Sequence, residues 1–165
     1  MIKLRRWYRE DAQQLAAIAN NRNVWINLRD AFPHPYTVMN AIQWIEKCAT
    51  ESPVLNFCID YGGKVAGSIG IVPKEDVYRK TIKIGYFIGE PYWNKGITTN
   101  AVGQILHYLK NEFDLIRIYA EVFEHNKGSM RVLQKNGFHL EGIRKSSVIK
   151  DGKIIDDYVW VKLFT

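Results

Sequence analysis

The stretch from Thr81 to Val102 constrains the fold of this chain more than any other. Residues 81–88 have the pattern of a β-strand, and a polar turn containing Gly96 leads from them into a helical pattern over about 97–113. A strand, a turn and a helix in this order gather backbone N–H groups at the helix start, where the helix dipole adds partial positive charge. The stretch therefore predicts a site for a phosphate group.

Two residues of this turn favour an anion. Gly96 lets the backbone approach a ligand without a β-carbon in the way, and Lys95 adds a full positive charge. The same residues are also compatible with an ordinary connection between a strand and a helix. The turn lacks the Gly-x-x-x-x-Gly-Lys-Ser/Thr pattern of a P-loop and the Gly-x-Gly-x-x-Gly pattern of a dinucleotide site. Both of those nucleotide-binding classes are therefore excluded.

The composition is typical of one globular domain. The chain has 165 residues, of which 47% are hydrophobic and 24% charged, so it can bury its own core and we expect a single domain over residues 1–165. We find no signal-peptide pattern and no apolar run of the ~20 residues that a membrane span needs. Cys48 and Cys58 lie in apolar segments without metal-ligand spacing, so we expect reduced core thiols, no metal site and a cytoplasmic protein.

The formal net charge of +6 leaves several partners open. Nucleic acid, a membrane surface, a polyanionic small ligand and solubility alone are all compatible with such an excess. Lys and Arg residues are spread over the whole chain, without a basic tail or a repeated basic-aromatic module. We therefore expect neither nucleic acid nor a membrane as a partner, and a phosphate-rich cofactor accounts for the charge equally well.

The hydrophobic pattern predicts seven strands and about four helices. Gly62-Gly63 predicts a hairpin turn, because both central positions of a primed turn favour positive φ. Thr37 is a candidate N-cap and Asn136-Gly137 a candidate helix C-terminus. The predicted strands span 2–6, 54–61, 64–72, 81–88, 115–123, 138–149 and 153–164, and the predicted helices span 10–21 with a second segment around 24–29, the residues after Thr37, 97–113 and 129–135.

Seven groups of short motifs follow one another along the chain. They are Leu4-Arg5 with Asp11-Ala12, Phe32-Pro33-His34-Pro35-Tyr36-Thr37 with Ala41 and Trp44-Ile45, Ile84-Gly85-Tyr86, Tyr92-Trp93-Asn94-Lys95-Gly96 with Ala101, Asn126-Lys127-Gly128-Ser129, Val132-Leu133 with Lys135-Asn136-Gly137-Phe138, and Glu141-Gly142 with Gly152 and Asp156 or Asp157. In this order they resemble the GNAT superfamily of N-acetyltransferases and, within it, the RimJ/RimL-like branch. The resemblance runs almost end to end. It implies an α+β fold with a mixed, mostly antiparallel twisted sheet of about seven strands flanked by about four helices.

The resemblance also implies acetyl-CoA as the cofactor, bound in a cleft between the fourth and fifth strands. The pantetheine arm would bond to the backbone of the fourth strand, and the diphosphate would rest on the turn that follows it. The implied cofactor-binding residues are Tyr86, Phe87, Ile88, Trp93, Asn94, Lys95, Gly96, Ile97, Thr98, Thr99, Asn126 and Ser129.

The implied reaction is direct transfer of the acetyl group to a primary amine through a ternary complex. The acceptor could be a protein N-terminus, a polyamine, an aminoglycoside or an amino sugar. The backbone N–H of Ile88 would stabilise the oxyanion, and Ser129 would protonate the thiolate, because Leu133 stands where many relatives have a tyrosine. Asn126 and Ser129 are also compatible with capping a helix and nothing more.

The residue that accepts the amine proton is left open by the sequence. Lys83 stands where relatives often have Glu, and the candidates are Glu121, which we assign as catalytic, Glu124, His125, Tyr36 or a chain of water molecules. The absence of the usual Glu and Tyr keeps a second hypothesis open, a non-catalytic acyl-CoA-binding or regulatory module on the same fold. We expect a monomer or a homodimer.

Overall fold

The computed structural model describes residues 1–164 and contains the seven predicted strands and five α-helices, of which the second is a single turn. The strands form one sheet in the order β1-β2-β3-β4-β5-β7-β6. The α+β fold class predicted from the sequence is therefore confirmed. The strands are β1 Ile2–Arg5, β2 Asn56–Tyr61, β3 Lys64–Pro73, β4 Thr81–Ile88, β5 Arg117–Phe123, β6 His139–Lys150 and β7 Lys153–Leu163, and the helices are α1 Ala12–Ala19, α2 Arg22–Trp25, α3 Val38–Ala49, α4 Ile97–Glu112 and α5 Lys127–Lys135.

The fourth and fifth strands pair in parallel. Residues Thr81–Lys83 of β4 lie opposite Arg117–Tyr119 of β5. From these positions β4 continues to Ile88 and β5 continues to Phe123. The pairs β1–β2, β2–β3, β5–β7 and β6–β7 are antiparallel. This is the mixed, mostly antiparallel pattern that the resemblance implies, with a parallel pair at the strands to which the resemblance assigns the cofactor.

One compact unit comprises Met1–Gly70 and Tyr86–Ala101. Its core joins buried side chains of α1 and α3 with buried side chains of β2 and β3, including Leu15, Ile45 and Cys58. The predicted start of α3 is confirmed, because the Thr37 hydroxyl accepts a hydrogen bond from the backbone N–H of Asn40 at 3.1 Å.

A buried ion cluster fixes β1 within this unit. Arg5 Nε donates to Asp60 at 2.7 Å, and its two terminal nitrogens donate to the two carboxylate oxygens of Asp11 at 2.8 and 3.0 Å. Asp60 also accepts the backbone N–H of Gly63 in the predicted hairpin turn at 2.8 Å. Burial raises the pKa of Asp60, but the hydrogen bonds from Arg5 and Gly63 outweigh it and hold the pKa below its usual value.

The other compact unit comprises Ile71–Gly85 and the chain from Val102 onward. Along β5, buried Ile118, Ala120 and Val122 alternate with partly exposed residues, as expected of a strand whose successive side chains point to opposite faces of the sheet. Glu121 lies on the partly exposed face. Alternation along β5 therefore separates an apolar face from a face that carries charge.

Both cysteines are buried and free, as the sequence predicts. Burial raises the pKa of Cys48 and of Cys58 to about 12, so both are neutral thiols at neutral pH. Neither has the thiolate character that a nucleophile needs. In the part of the chain that the structure describes, no helix is long and apolar enough to span a membrane.

Candidate functional site

The predicted phosphate turn leads directly into α4 and contains two residues with positive φ. Asn94 has φ 58° and Gly96 has φ 73°. Left-handed residues within a turn direct successive N–H groups toward one side and so form an anion-binding concavity. The N–H groups of Ile97 and Thr98 open α4 and have no partner within the helix. A β-carbon on Gly96 would meet no atom within 4 Å, so the backbone is open to a ligand where the sequence predicts one.

The side chains of the turn have separate tasks. Ile97 is 1% exposed and anchors the start of α4 in the core. Only its backbone is therefore available to a ligand. Lys95 is exposed, with Nζ 5.8 Å from the centroid of the Tyr92 ring. Trp93 Nε1 donates to the carbonyl oxygen of Ile88 at 2.8 Å. The indole of Trp93 thus fastens the turn to the end of β4.

The end of β4 lies close against the backbone of β3. The N–H of Gly89 donates to the carbonyl oxygen of Ala66 at 2.8 Å. A β-carbon on Gly67 would overlap the carbonyl oxygen of Phe87, so only glycine admits this approach. The Phe87 ring meets the Phe32 ring edge-on, with centroids 5.3 Å apart. These contacts fix the backbone conformation of the segment to which the resemblance assigns pantetheine.

Tyr36, one of the candidate proton acceptors, is a core residue. Its ring packs on Phe32 with centroids 4.9 Å apart, and the residue is buried. Burial, with a smaller contribution from Cys48, raises the pKa of Tyr36 to about 12. The phenol therefore keeps its proton at neutral pH.

Asn126 caps α5, as one of the two interpretations of the sequence requires. Its side-chain oxygen accepts the backbone N–H of Ser129 at 3.3 Å. Leu133 is 0% exposed and belongs to the core. The role of Ser129 as an acid stays a prediction, and its position in the first turn of α5 is consistent with it.

Four charged side chains from four strands meet on one face of the sheet, and we call them the charge cluster: Lys83 of β4, Glu121 of β5, Arg144 of β6 and Asp157 of β7. Lys83 Nζ lies 3.1 Å from one carboxylate oxygen of Glu121, and Arg144 Nη1 lies 3.4 Å from the other. Arg144 Nη1 also lies 3.5 Å from Asp157 Oδ2. Asp157 is directly opposite Arg144 on β6 and Phe123 on β5. Cross-strand register therefore assembles the cluster.

The two carboxylates of the charge cluster differ in environment. Burial raises the pKa of Glu121, but the contacts with Lys83 and Arg144 outweigh burial and lower it. Asp157 is 4% exposed, and its Oδ1 atom is buried with no hydrogen-bond partner in residues 1–164. Burial, followed by the negative charge of Glu121, raises the pKa of Asp157. The cluster thus pairs a stabilised anion with a carboxylate that binds a proton more readily.

The prediction from the sequence included Glu121 as a site residue but not Arg144 or Asp157. The signal that could have found Asp157 is the alternation along the last strand, combined with its pairing to the strands on both sides. Glu124 has a structural contact, because its side chain accepts the backbone N–H of Asp156 at 2.9 Å. The His125 ring lies beside the Phe123 ring, with centroids 6.1 Å apart. Over residues 1–164 we find no group of three His, Cys, Asp or Glu side chains that could hold a metal ion.

Comparison with protein families gives a match that covers most of the chain. The family model described as "Acetyltransferase (GNAT) domain" matches residues 2–139. Among curated proteins, YjcK of Bacillus subtilis (strain 168), named a probable N-acetyltransferase, is 47% identical over 73 residues. That match spans 44% of this chain and 40% of YjcK, less than half of the relative's length.

Solved structures with the same fold include enzymes crystallised with coenzyme. The Microcin C7 self immunity acetyltransferase MccE, solved in complex with acetyl-CoA and AMP, matches with a TM-score of 0.84 and 25% identity over 99% of this chain and 92% of MccE. RimJ of Mycobacterium smegmatis, solved with a CoA disulfide, matches with a TM-score of 0.86 and 22% identity over 98% of this chain and 81% of RimJ. With the family model matching most of its length, the chain belongs to the GNAT family of acetyltransferases.

Proposed function

We propose that residues 1–165 form one N-acetyltransferase domain that transfers the acetyl group of acetyl-CoA directly to a primary amine. The observation that carries this proposal is the turn before α4, with positive φ at Asn94 and Gly96 and open space beside Gly96. Its arrangement suits a diphosphate. Membership of the GNAT family and the acetyl-CoA in the MccE structure support the same donor.

The residues present fit acetyl-CoA. The backbone from Asn94 to Thr99 and the charge of Lys95 would hold the diphosphate, and Tyr86 to Ile88 would hold the pantetheine arm through backbone groups. Asn126 and Ser129 are the further residues that we assign to coenzyme binding. When bound, acetyl-CoA supplies a thioester whose carbonyl carbon is open to attack by an amine.

Three protein groups have the chemistry that amine acetylation requires. The N–H of Ile88 would stabilise negative charge on the carbonyl oxygen, and Ser129 would give a proton to the departing sulfur. Glu121 supplies an anionic group that can hold or deprotonate an ammonium ion. The candidate acceptors are a protein N-terminus, a polyamine, an aminoglycoside and an amino sugar.

A non-catalytic acyl-CoA-binding module is the second candidate. Lys83 occupies the position of the usual Glu and forms an ion pair with Glu121, and Leu133 occupies the position of the usual Tyr and is fully buried. The chain therefore keeps the residues assigned to the coenzyme but lacks two side chains that relatives often use in catalysis.

We also propose a cytoplasmic location and a monomeric or homodimeric state, with an amine and acetyl-CoA as the partners. The two free, buried cysteines agree with a reducing compartment.

Release of CoA thiol from acetyl-CoA across an amine panel separates the two candidates, with coenzyme affinity measured by calorimetry alongside. For the enzyme we expect turnover with at least one amine, and for Ser129→Ala a loss on the order of 100-fold in kcat at saturating acetyl-CoA, beyond any loss of coenzyme affinity. Ser52→Ala, an exposed serine, is the control and leaves both quantities unchanged. Tight binding of acetyl-CoA without turnover on any amine would identify the binding module, and failure to bind acetyl-CoA would contradict both candidates.

A further inference from the structure

We infer that the charge cluster binds an acceptor that carries both an amine and a carboxylate, as a free α-amino acid does. Arg144 takes the carboxylate and Asp157 takes the ammonium group. The inference rests on the proposed function, because it names the acceptor of that same acetyl transfer.

Arg144 is available to an anionic ligand. Its contacts with Glu121 and Asp157 measure 3.4 and 3.5 Å, and its side chain is 52% exposed. In contrast, Arg117 on β5 binds both oxygens of Glu141 at 2.5 and 2.7 Å. A guanidinium has planar, paired donors that match a carboxylate. Arg144 lies near two carboxylates without closing such a pair on either, so its donors can serve a third.

Asp157 has one carboxylate oxygen that lacks a hydrogen-bond donor among the described residues. Its Oδ1 atom is buried without a hydrogen-bond partner in residues 1–164, and a buried oxygen without a donor is costly. An ammonium N–H supplies that donor. The charged groups that face Asp157 are Glu121 from β5, Arg144 from β6 and Lys83 from β4. Arg144 is the nearest cation, and it contacts Oδ2 and not Oδ1.

Proton transfer follows from the same arrangement. The ammonium N–H bond breaks, an O–H bond forms on Asp157 Oδ1, and the amine keeps the electron pair with which it attacks. Water then takes the proton from Asp157 to restore the carboxylate. In this arrangement Asp157 takes over the deprotonation that the proposed function gives to Glu121. Glu121 contacts Lys83 and Arg144 at once and remains their counter-ion. The raised pKa of Asp157 and the lowered pKa of Glu121 agree with this division.

The cluster also selects against other amines. A polyamine or an aminoglycoside brings several positive charges toward Lys83 and Arg144, and like charges in a partly buried site repel. A protein N-terminus is followed by a peptide bond and offers no adjacent carboxylate to Arg144. An amine beside a carboxylate matches both signs of charge in the cluster.

The test uses L-amino acids, the amine produced by decarboxylating each one, spermidine and tripeptide amides as probes. Binding is measured by calorimetry on protein saturated with CoA, and turnover is measured as thiol release from acetyl-CoA. We expect an L-amino acid to bind at least tenfold more tightly than its decarboxylated amine and to be the better acceptor.

Arg144→Gln and Lys145→Gln form a matched pair, because both remove one positive charge from adjacent residues of β6. Lys145 contacts Asp156, outside the cluster. Arg144→Gln should raise KM for the amino acid on the order of tenfold or more and raise KM for the decarboxylated amine by a much smaller factor. Lys145→Gln should change neither. Arg144→Lys keeps the charge without the planar fork and should be intermediate.

Asp157→Asn and Asp156→Asn form the second pair. Asp157→Asn should lower kcat on the order of 100-fold and abolish the acidic limb of the pH–rate profile, and Asp156→Asn should preserve both. Glu121→Gln should raise KM and retain that limb. Thermal denaturation of every variant identifies any that do not fold.

Equal binding of amino acids and decarboxylated amines, a preference for spermidine or tripeptide amides, or no response to Arg144→Gln would each overturn the inference. If one of these results is found while an amine is still acetylated, only the inference is overturned and the proposed function is retained. Absence of turnover with all probes, despite tight binding of acetyl-CoA, contradicts the proposed function instead. Calorimetry on the CoA-loaded protein still decides the inference in that case.

Discussion

Gly67 of β3 and Phe87 of β4 are so close that a β-carbon on Gly67 would overlap the carbonyl oxygen of Phe87. The same β-carbon would lie 3.0 Å from Cα of Ile88. Both neighbouring atoms belong to backbone and cannot move aside by rotating a side chain. Gly67 therefore determines where Phe87 and Ile88 lie, and Ile88 carries the N–H that we assign to the reaction.

Gly67→Ala should displace the end of β4 and lower the free energy of unfolding by about 1–3 kcal/mol, the usual cost of overpacking. Acetyl transfer should fall further than this loss of stability explains, because the Ile88 N–H moves with its strand. Chemical denaturation and steady-state kinetics measure the two effects. Gly103→Ala in α4 is the control: its β-carbon meets only Asn136 Oδ1 at 3.5 Å, so it should stabilise by about 0.5–1 kcal/mol. Unchanged kinetics in Gly67→Ala would contradict the assignment of Ile88.

Arg5→Met should lower the free energy of unfolding by about 3–5 kcal/mol at neutral pH, because it leaves the buried carboxylates of Asp11 and Asp60 without their cation. The pKa of Asp60 is lower in the folded state than in the unfolded state. Its contribution is therefore complete above the unfolded pKa, about 3.9, and disappears as the pH falls through the lower folded pKa. Urea denaturation at neutral pH and at about pH 3 measures this change.

The difference in the free energy of unfolding between wild type and Arg5→Met should become smaller in acid. Arg9→Met is the matched control, since Arg9 forms an exposed pair with Glu46 at 3.5 Å. It should change stability by less than about 0.5 kcal/mol at either pH. A gap for Arg5→Met that is equally wide in acid would show that Asp60 does not titrate as described.

Asp157→Asn should not lower stability at neutral pH. The pKa of Asp157 is raised in the folded state. Its contribution to the free energy of unfolding is therefore fully present below the unfolded pKa and is lost as the pH rises through the folded pKa. Replacing the carboxylate should therefore be neutral or stabilising at neutral pH, and any advantage should shrink as the pH falls toward about 4. Denaturation of both proteins across this pH range provides the measurement. A clear loss of stability at neutral pH would mean that Asp157 has a structural role.

Local patterns in the sequence predicted much of the fold. The bounds of β4, the Thr37 cap and the positive φ at Gly62, Gly63 and Gly137 are all confirmed, because each depends on a few consecutive residues. The predicted helix over 10–21 is shorter in the structure, where α1 ends at Ala19. Asn21 instead caps α2, by accepting the N–H groups of Asn23 and Val24.

The site was predictable only where it is built from consecutive residues. The turn before α4 is such a segment, and it has positive φ at Asn94 and Gly96; phosphate binding there stays a prediction. The charge cluster is not, because register across four strands brings Lys83, Glu121, Arg144 and Asp157 together. A motif covers only a few consecutive residues, so it cannot show which carboxylate lacks a hydrogen-bond partner once the strands have paired.

The most direct measurement is the affinity for CoA of Gly96→Ala compared with Gly152→Ala. Both glycines have φ 73°, and a β-carbon on either would meet no atom within 4 Å. The backbone strain of the two substitutions should therefore match, at about 1–2 kcal/mol. Calorimetry should show CoA affinity reduced on the order of tenfold or more in Gly96→Ala and unchanged in Gly152→Ala. The affinity for pantetheine, which lacks the diphosphate, should be the same in both variants as in wild type. Equal CoA affinity in wild type and Gly96→Ala would contradict the account.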